Sequence, residues 1–387
     1  MKIATLPFLF VCALVSIGEA ALKSYPIFFA TFIFVFLYSR LKLKKNLAKA
    51  AMSFVSVAVL FAILNIEKSF DATALTKLLI NFSFFVFAAS YISQLPFFKA
   101  INLMKIAAIV FLSFSFIQAF WLVYANHLWL LPFSLENSDS SYAIQKGFIL
   151  FGDLNKNIWA AKISIFLTIL CFCQYVDKRP RAYFYVFLAI GLISLLYVSS
   201  RTAQIAFLAF VASLLFFHFW VLKKKRIIMI LLSLILTPLF LFLFQLVFRL
   251  DFTVLSNFRP EDGQNMGDGF LSRIIIWSYV LKSVTLSDLL YGNGILSFSY
   301  YTGGIFTENN PHNIILSIAL DFGLTALLLY FFLLYRIFPN GNILWVFLAT
   351  FLVYANTQYL GYDSDLMVFF IFAYLIRTKS SHIMNKS

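Results

Sequence analysis

Two arginines and one histidine have the chemistry needed to handle a phosphate-linked group. Arg201 stands in Ser199-Ser200-Arg201-Thr202, Arg273 follows Leu271-Ser272, and His312 lies in Asn309-Asn310-Pro311-His312-Asn313. A guanidinium stays charged at any working pH and offers a planar fork of donors that fits phosphate oxygens two at a time, so a pair of them suits a diphosphate. An imidazole titrates near neutrality and can take a proton from an attacking hydroxyl, and a neighbouring cation favours its neutral, basic form. Taken singly, each residue has a plainer reading. Arg201 could anchor a lipid headgroup, Arg273 could belong to the polar face of a surface helix, and His312 could cap a helix or close a turn. Only convergence in one cavity makes them a site, and convergence depends on the elements that carry them.

Those elements are set by an extreme composition. Of 387 residues, 62% are apolar and 12% are charged, with 50 Phe and 19 Tyr, and the mean hydropathy is +0.90. A soluble enzyme of this length could not cover its surface with so few polar residues, so most of the chain must face lipid. The net charge of +14 comes from short basic clusters between long apolar runs, which is the pattern of membrane topology and not of a nucleic-acid-binding face. The three cysteines all lie in apolar stretches and outline no disulfide framework.

Measured against the roughly 20 helical residues that span a bilayer, the apolar runs predict an all-α polytopic membrane protein with about twelve transmembrane helices. They fall near 4–19, 25–39, 50–66, 75–94, 103–125, 157–176, 182–199, 203–222, 227–248, 313–335, 342–357 and 366–377. The first also fits a signal peptide, because Lys2 precedes it and Gly18-Glu19-Ala20-Ala21 closes it. Most lysines and arginines collect on one side, including the clusters Arg40 to Lys49, Lys178 to Arg181 and Lys223 to Arg226. That bias predicts cytoplasmic termini at both ends. Residues 1–387 then form one integral membrane domain, whose opposite side holds two long polar segments, 126–157 and 249–313. The second lies before the tenth helix and contains an amphipathic stretch, Leu271 to Val284, able to lie along the membrane surface. Loops this long are usually functional, and Arg201, Arg273 and His312 all fall on this side.

Other candidates are weaker. Lys156, in Gly152-Asp153-Leu154-Asn155-Lys156-Asn157, opens a crossing and could reach a ligand phosphate. Asp363-Ser364-Asp365 has a spacing some sugar transferases use for a divalent metal, but a helix cap explains Asp365 as well. Glu261 to Gly269 lacks the pattern of a calcium loop. His218 and His382 fall on the cytoplasmic side, and His127 adjoins an apolar belt. There is no P-loop or dinucleotide fingerprint. A flippase or transporter for lipid-linked glycans would be expected to carry ionisable groups at mid-membrane. Here the crossings hold them only near their ends, as at Lys162 and His218, and no inverted repeat is visible.

In order, Ser200-Arg201-Thr202, Leu271 to Trp277, Leu290-Tyr291-Gly292-Asn293-Gly294, Pro311 to Leu316 and Asp321-Phe322-Gly323-Leu324 resemble the O-antigen ligase and O-antigen polymerase superfamily. Phe151 to Asn157 resembles its upstream polar turn, and the similarity spans about Phe151 to Tyr335. The resemblance implies a multi-helix, lipid-donor glycosyltransferase in the bacterial inner membrane with its active site facing the periplasm. It implies that a glycan moves from an undecaprenyl diphosphate carrier to lipid A-core, in a ligase, or to a second lipid-linked glycan, in a polymerase. No metal or nucleotide cofactor and no nucleic acid is implied, and membrane lipids surround the protein. On this resemblance Arg201 and Arg273 bind the leaving diphosphate and His312 activates or orients the acceptor hydroxyl. Lys156 and Asn313 join the substrate site, and Asp321 matches the acidic residue that precedes the family's glycine. The late position of the single large loop favours the ligase.

Overall fold

The computed structural model describes residues 25–38, 41–125, 156–177, 182–198, 200–221, 270–303, 311–356 and 361–384, with Thr5, Phe8 and Cys12. Among the described residues there are helices and turns and no strand. The longer elements are α1 (Tyr25–Tyr38), α2 (Lys45–Leu64), α3 (Ala72–Gln94), α4 (Phe97–Ala125), α5 (Lys156–Asp177), α6 (Ala182–Val198) and α7 (Arg201–Val221). Three shorter ones follow, α8 (Phe270–Ser283), α9 (Leu286–Tyr291) and α10 (Phe298–Thr302), before α11 (Ile314–Ile337), α12 (Leu344–Tyr354) and α13 (Ser364–Met384). Six of the described helices are long and apolar enough to cross a membrane, so the chain is an all-α, multi-pass membrane protein.

Each predicted crossing between 25 and 222, and each from 313 onward, falls on a helix. The interval 227–248 and nearly all of the loop 126–157 lie outside the described residues, and of 4–19 only Thr5, Phe8 and Cys12 are described, all helical. Local chemistry sets several boundaries. The Asp71 carboxylate accepts from the amides of Thr73 (2.7 Å) and Ala74 (3.0 Å) and so starts α3. α4 begins at Phe97, earlier than hydropathy suggests, directly after Pro96, whose carbonyl accepts from the Ala100 amide at 3.0 Å, and within it Lys105 is buried by pairing with Asp177 at 2.8 Å. α13 continues beyond Arg377, whose guanidinium donates to the Phe338 carbonyl (2.6 Å) and to that of Tyr335.

At the centre lies α13, in contact with α3, α4, α5 and α11. Every residue from Leu366 to Ile376 is buried, as expected of a helix that is apolar on all sides. In α5 83% of the membrane-length stretch is buried, whereas in α7 it is 28%, so among the described residues α5 belongs to the interior and α7 to the outside of the bundle. α5 and α7 run parallel, because Tyr175 near the end of one meets Phe217 and His218 near the end of the other. α11 lies along α2 and reaches α12 at its start, where the Ile314 amide donates to the Ala355 carbonyl at 2.8 Å. The first residues of α5, α7 and α11 therefore share one end of the bundle. Arg336, Arg377 and the Lys105–Asp177 pair mark the other.

Candidate active site

His312 occupies a corner that the surrounding structure holds tightly. It is 4% exposed and its backbone sits in the left-handed region at φ 52, which costs a non-glycine residue about 1–2 kcal/mol. Such conformations persist only where neighbours enforce them. On one side the Asn313 side chain caps α11, its Oδ1 accepting from the Leu316 amide at 2.9 Å, while its Nδ2 donates to Asn356 Oδ1 at 2.9 Å. Asn356 is fixed in turn by donating to the Leu352 carbonyl at 2.8 Å. Both ends of the Asn313 amide are thus engaged within the protein, and the corner is tied to the end of α12.

On the other side, the Trp277 indole Nε1 donates to the Pro311 carbonyl at 2.6 Å. Trp277 belongs to α8, the helix that carries Arg273 one turn earlier. The i, i+4 spacing puts the two residues on the same side of that helix. The amphipathic stretch expected to lie along the membrane therefore docks on the protein, with Ile276 and Val280 buried among Phe298, Tyr301 and Leu320. Replacing Trp277 by Phe keeps the ring and removes the donor. The expected result is a loss of about 1 kcal/mol of stability with a larger fall in turnover, checked by comparing melting temperature with transfer rate for purified protein.

Arg201 is the first residue of α7 and Lys156 the first of α5. α7 lies along α12, whose end holds the His312 corner. The structure thus joins the Arg273 helix to the His312 corner directly, and brings Arg201 to the same end of the bundle through α12. The side chains of Arg201, Arg273 and Lys156 lie outside the described set; their helix positions lie inside it. The amino-terminal ends of α5, α7 and α11 add partial positive charge where these cations begin their helices.

The two glycine motifs dock on each other. α11 is broken at Gly323, at φ 78 and ψ 177, and the Leu290-to-Gly294 loop fills the break. The Asn293 amide donates to the Leu320 carbonyl at 2.9 Å and the Gly294 amide to that of Asp321 at 3.1 Å. Carbonyls that an unbroken helix would satisfy internally are served here from outside. A Cβ on Gly292 would come within 3.0 Å of the Asp321 backbone, and one on Gly323 within 3.0 Å of the Leu290 carbonyl, so both close approaches require glycine. The Asp321 carboxylate accepts from the Ser297 amide (2.8 Å) and hydroxyl (2.9 Å), which gives it a structural task. Tyr301, packed nearby, has its hydroxyl pushed well above the ordinary phenol range by burial, reinforced by the charges of Asp288 and Asp321.

Interior ionisable groups are more numerous than hydropathy suggests. Lys162 is 1% exposed and stands in the second turn of α5, and Asp321 and Asp365 are also buried. Asp365 lies in the first turn of α13, near the Tyr354 hydroxyl, which pairs with Ser164 at 2.8 Å. His218 contacts Tyr175 at 3.4 Å, at the far end of the bundle, and His382 falls in the last turns of α13, at that same end. His127 and the stretch Glu261 to Gly269 lie outside the described residues. Trp277, Asn356 and the glycine docking had no role assigned from sequence. Trp277 lies within the quoted motif, so its position four residues after Arg273 was the available signal.

Residues 184–331 match the model of a protein family described as O-antigen ligase. Comparison with curated proteins and with solved structures returns no match. The matched stretch runs from α6 into α11 and carries Arg201, Arg273, His312 and both glycine motifs; the upstream turn Phe151 to Asn157, with Lys156, lies outside it. Over residues 184–331 the match supports the resemblance to the O-antigen ligase superfamily.

Proposed function

We propose that the protein is an O-antigen ligase that transfers a glycan from undecaprenyl diphosphate to lipid A-core on the periplasmic face of the bacterial inner membrane. The family match supports ligase- or polymerase-type glycan transfer in general. The observation that carries the reading is the bond from Trp277 to the Pro311 carbonyl, because it sets the helix of one candidate cation against the corner of the candidate base.

The reaction follows from the residue types. A hydroxyl oxygen of the acceptor sugar bonds to the anomeric carbon as the bond from that carbon to the diphosphate oxygen breaks. The hydroxyl proton passes to His312, and the electron pair leaves with the diphosphate, whose charge Arg201 and Arg273 neutralise. Lys156 adds a further cation at the same end. Both substrates are lipid-anchored, so one cavity supplies the orientation that solution cannot. The donor's own diphosphate bond provides the driving force. About twelve crossings, cytoplasmic termini and outward-facing 126–157 and 249–313 segments complete this arrangement.

The lipopolysaccharide of a strain lacking the gene tests the reading. Bare core with long lipid-linked polymer accumulating is expected. Core carrying a single repeat unit would reassign the protein as the polymerase, and unaltered lipopolysaccharide would overturn both.

A further inference from the structure

The turn between α2 and α3 lies outside the family match, yet it grips the glycine loop across more than 200 residues of sequence. The Lys68 Nζ donates to Asn293 Oδ1 at 2.7 Å and lies 3.8 Å from the Asp288 carboxylate. The Ser69 hydroxyl donates to the Ile295 carbonyl at 2.9 Å, and Gly294 packs so closely on the Ser69 carbonyl that a Cβ would not fit. Asn65 Nδ2 adds a bond to the Tyr291 carbonyl at 3.4 Å. The loop is therefore clasped between the α2–α3 turn on one side and the broken helix α11 on the other.

Within that clasp Lys68 has an exacting position. Asn293 is fully buried, so its side-chain oxygen needs a donor from the protein, and Lys68 supplies a charged one. Burial alone would push the Asp288 carboxyl upward. The Thr285 hydroxyl and amide and the Lys68 charge together hold it below the ordinary carboxylate range. Asp288 also closes the capping box with Thr285 that starts α9. Losing Lys68 would leave a buried acceptor unserved and an acid without its cation at the point where the loop meets α11. Because Gly323 interrupts α11, the half from Ile314 to Phe322 cannot rely on the rest of its own helix for its position. It depends on what packs against it.

We propose that Lys68 is a positioning residue for glycan transfer: by locking Asn293 and Asp288 it holds the glycine loop against the broken half of α11, and thereby fixes the His312 corner. The inference rests on the transfer reading, but part of its test is independent of it.

Full-length protein in lipid nanodiscs, as wild type, Lys68→Met and Lys68→Arg, is compared in two measurements. In hydrogen exchange, Lys68→Met is expected to speed exchange by about tenfold over the amides of 293–297 and 314–317, the effect of losing one charge-assisted hydrogen bond. Exchange in the middle of α13 should stay unchanged. In transfer from a lipid-linked glycan donor, kcat should fall by about tenfold with the donor KM within about twofold, and Lys68→Arg should recover most of it. Unchanged exchange at 314–317 overturns the proposal, and so does a loss confined to KM, which would make Lys68 a direct ligand contact. Wild-type protein that transfers nothing overturns the transfer reading instead, and the exchange result then decides alone. Should Lys68→Met fail to insert, Asn293→Ala removes the same bond from its other end and carries the same expectations.

Discussion

Replacing His312 or Arg273 singly by alanine is expected to abolish surface O-chain display and to slow transfer by about 10²–10⁴ fold, the usual effect of losing a general base or a preplaced charge. Neither change should disturb membrane insertion. Contacts through the Asn313 side chain, the Ile314 amide and the Pro311 carbonyl tie the corner to its neighbours, and neither substitution removes them. Assay of purified variants, with insertion followed by expression in the membrane fraction, separates chemistry from folding. Arg201→Ala belongs in the same series. Full display by all three variants would remove the enzymatic assignment.

A second large effect is expected where no chemistry takes place. Gly323→Ala should cost about 3 kcal/mol or more, enough to lose most of the folded protein. An added methyl meets the Leu290 carbonyl and the Gly292 amide, both backbone groups that cannot rotate away. The backbone there is also at φ 78 and ψ 177, a region essentially reserved for glycine. Gly292→Ala strikes the same junction from the opposite face. Yield of monodisperse protein and melting temperature in detergent are the measurements. A Gly323→Ala protein that melts with the wild type would mean that the two motifs do not dock as described.

How much of this was legible in the sequence depended on the kind of information each feature needs. Long apolar runs announce helices because lipid leaves the backbone no other way to satisfy itself, so crossings such as α3, α5 and α11 were found nearly at their observed bounds. The apolar run of the last crossing ends at Arg377, where a charge closes it, yet the Phe338 carbonyl serves that guanidinium and α13 runs on to Met384. Lys105, inside the crossing that begins near 103, is buried because Asp177 reaches it, and that partner stands in another helix. The break at Gly323 is hidden inside an apolar run, since Asp-Phe-Gly-Leu does not interrupt hydropathy. Its cause lies in the Leu290-to-Gly294 loop, which sequence presents as a separate motif. His312, Asn313 and the Arg273 helix were readable as an ordered set because each sits in a local pattern. Lys68 was only one outer-side cation among several, because its meaning comes from Asn293 and Asp288, far away along the chain.

The interruption of α11 also bears on the bilayer around it. Beyond the break, Leu324 to Ile337 rises only about 21 Å at 1.5 Å per residue, short of the roughly 30 Å of hydrocarbon a crossing must match. The nine residues from Ile314 to Phe322 must therefore supply the rest of the crossing. The glycine loop that sets those nine residues, and not the continuity of the helix, thus decides the angle at which α11 leaves that end of the bundle.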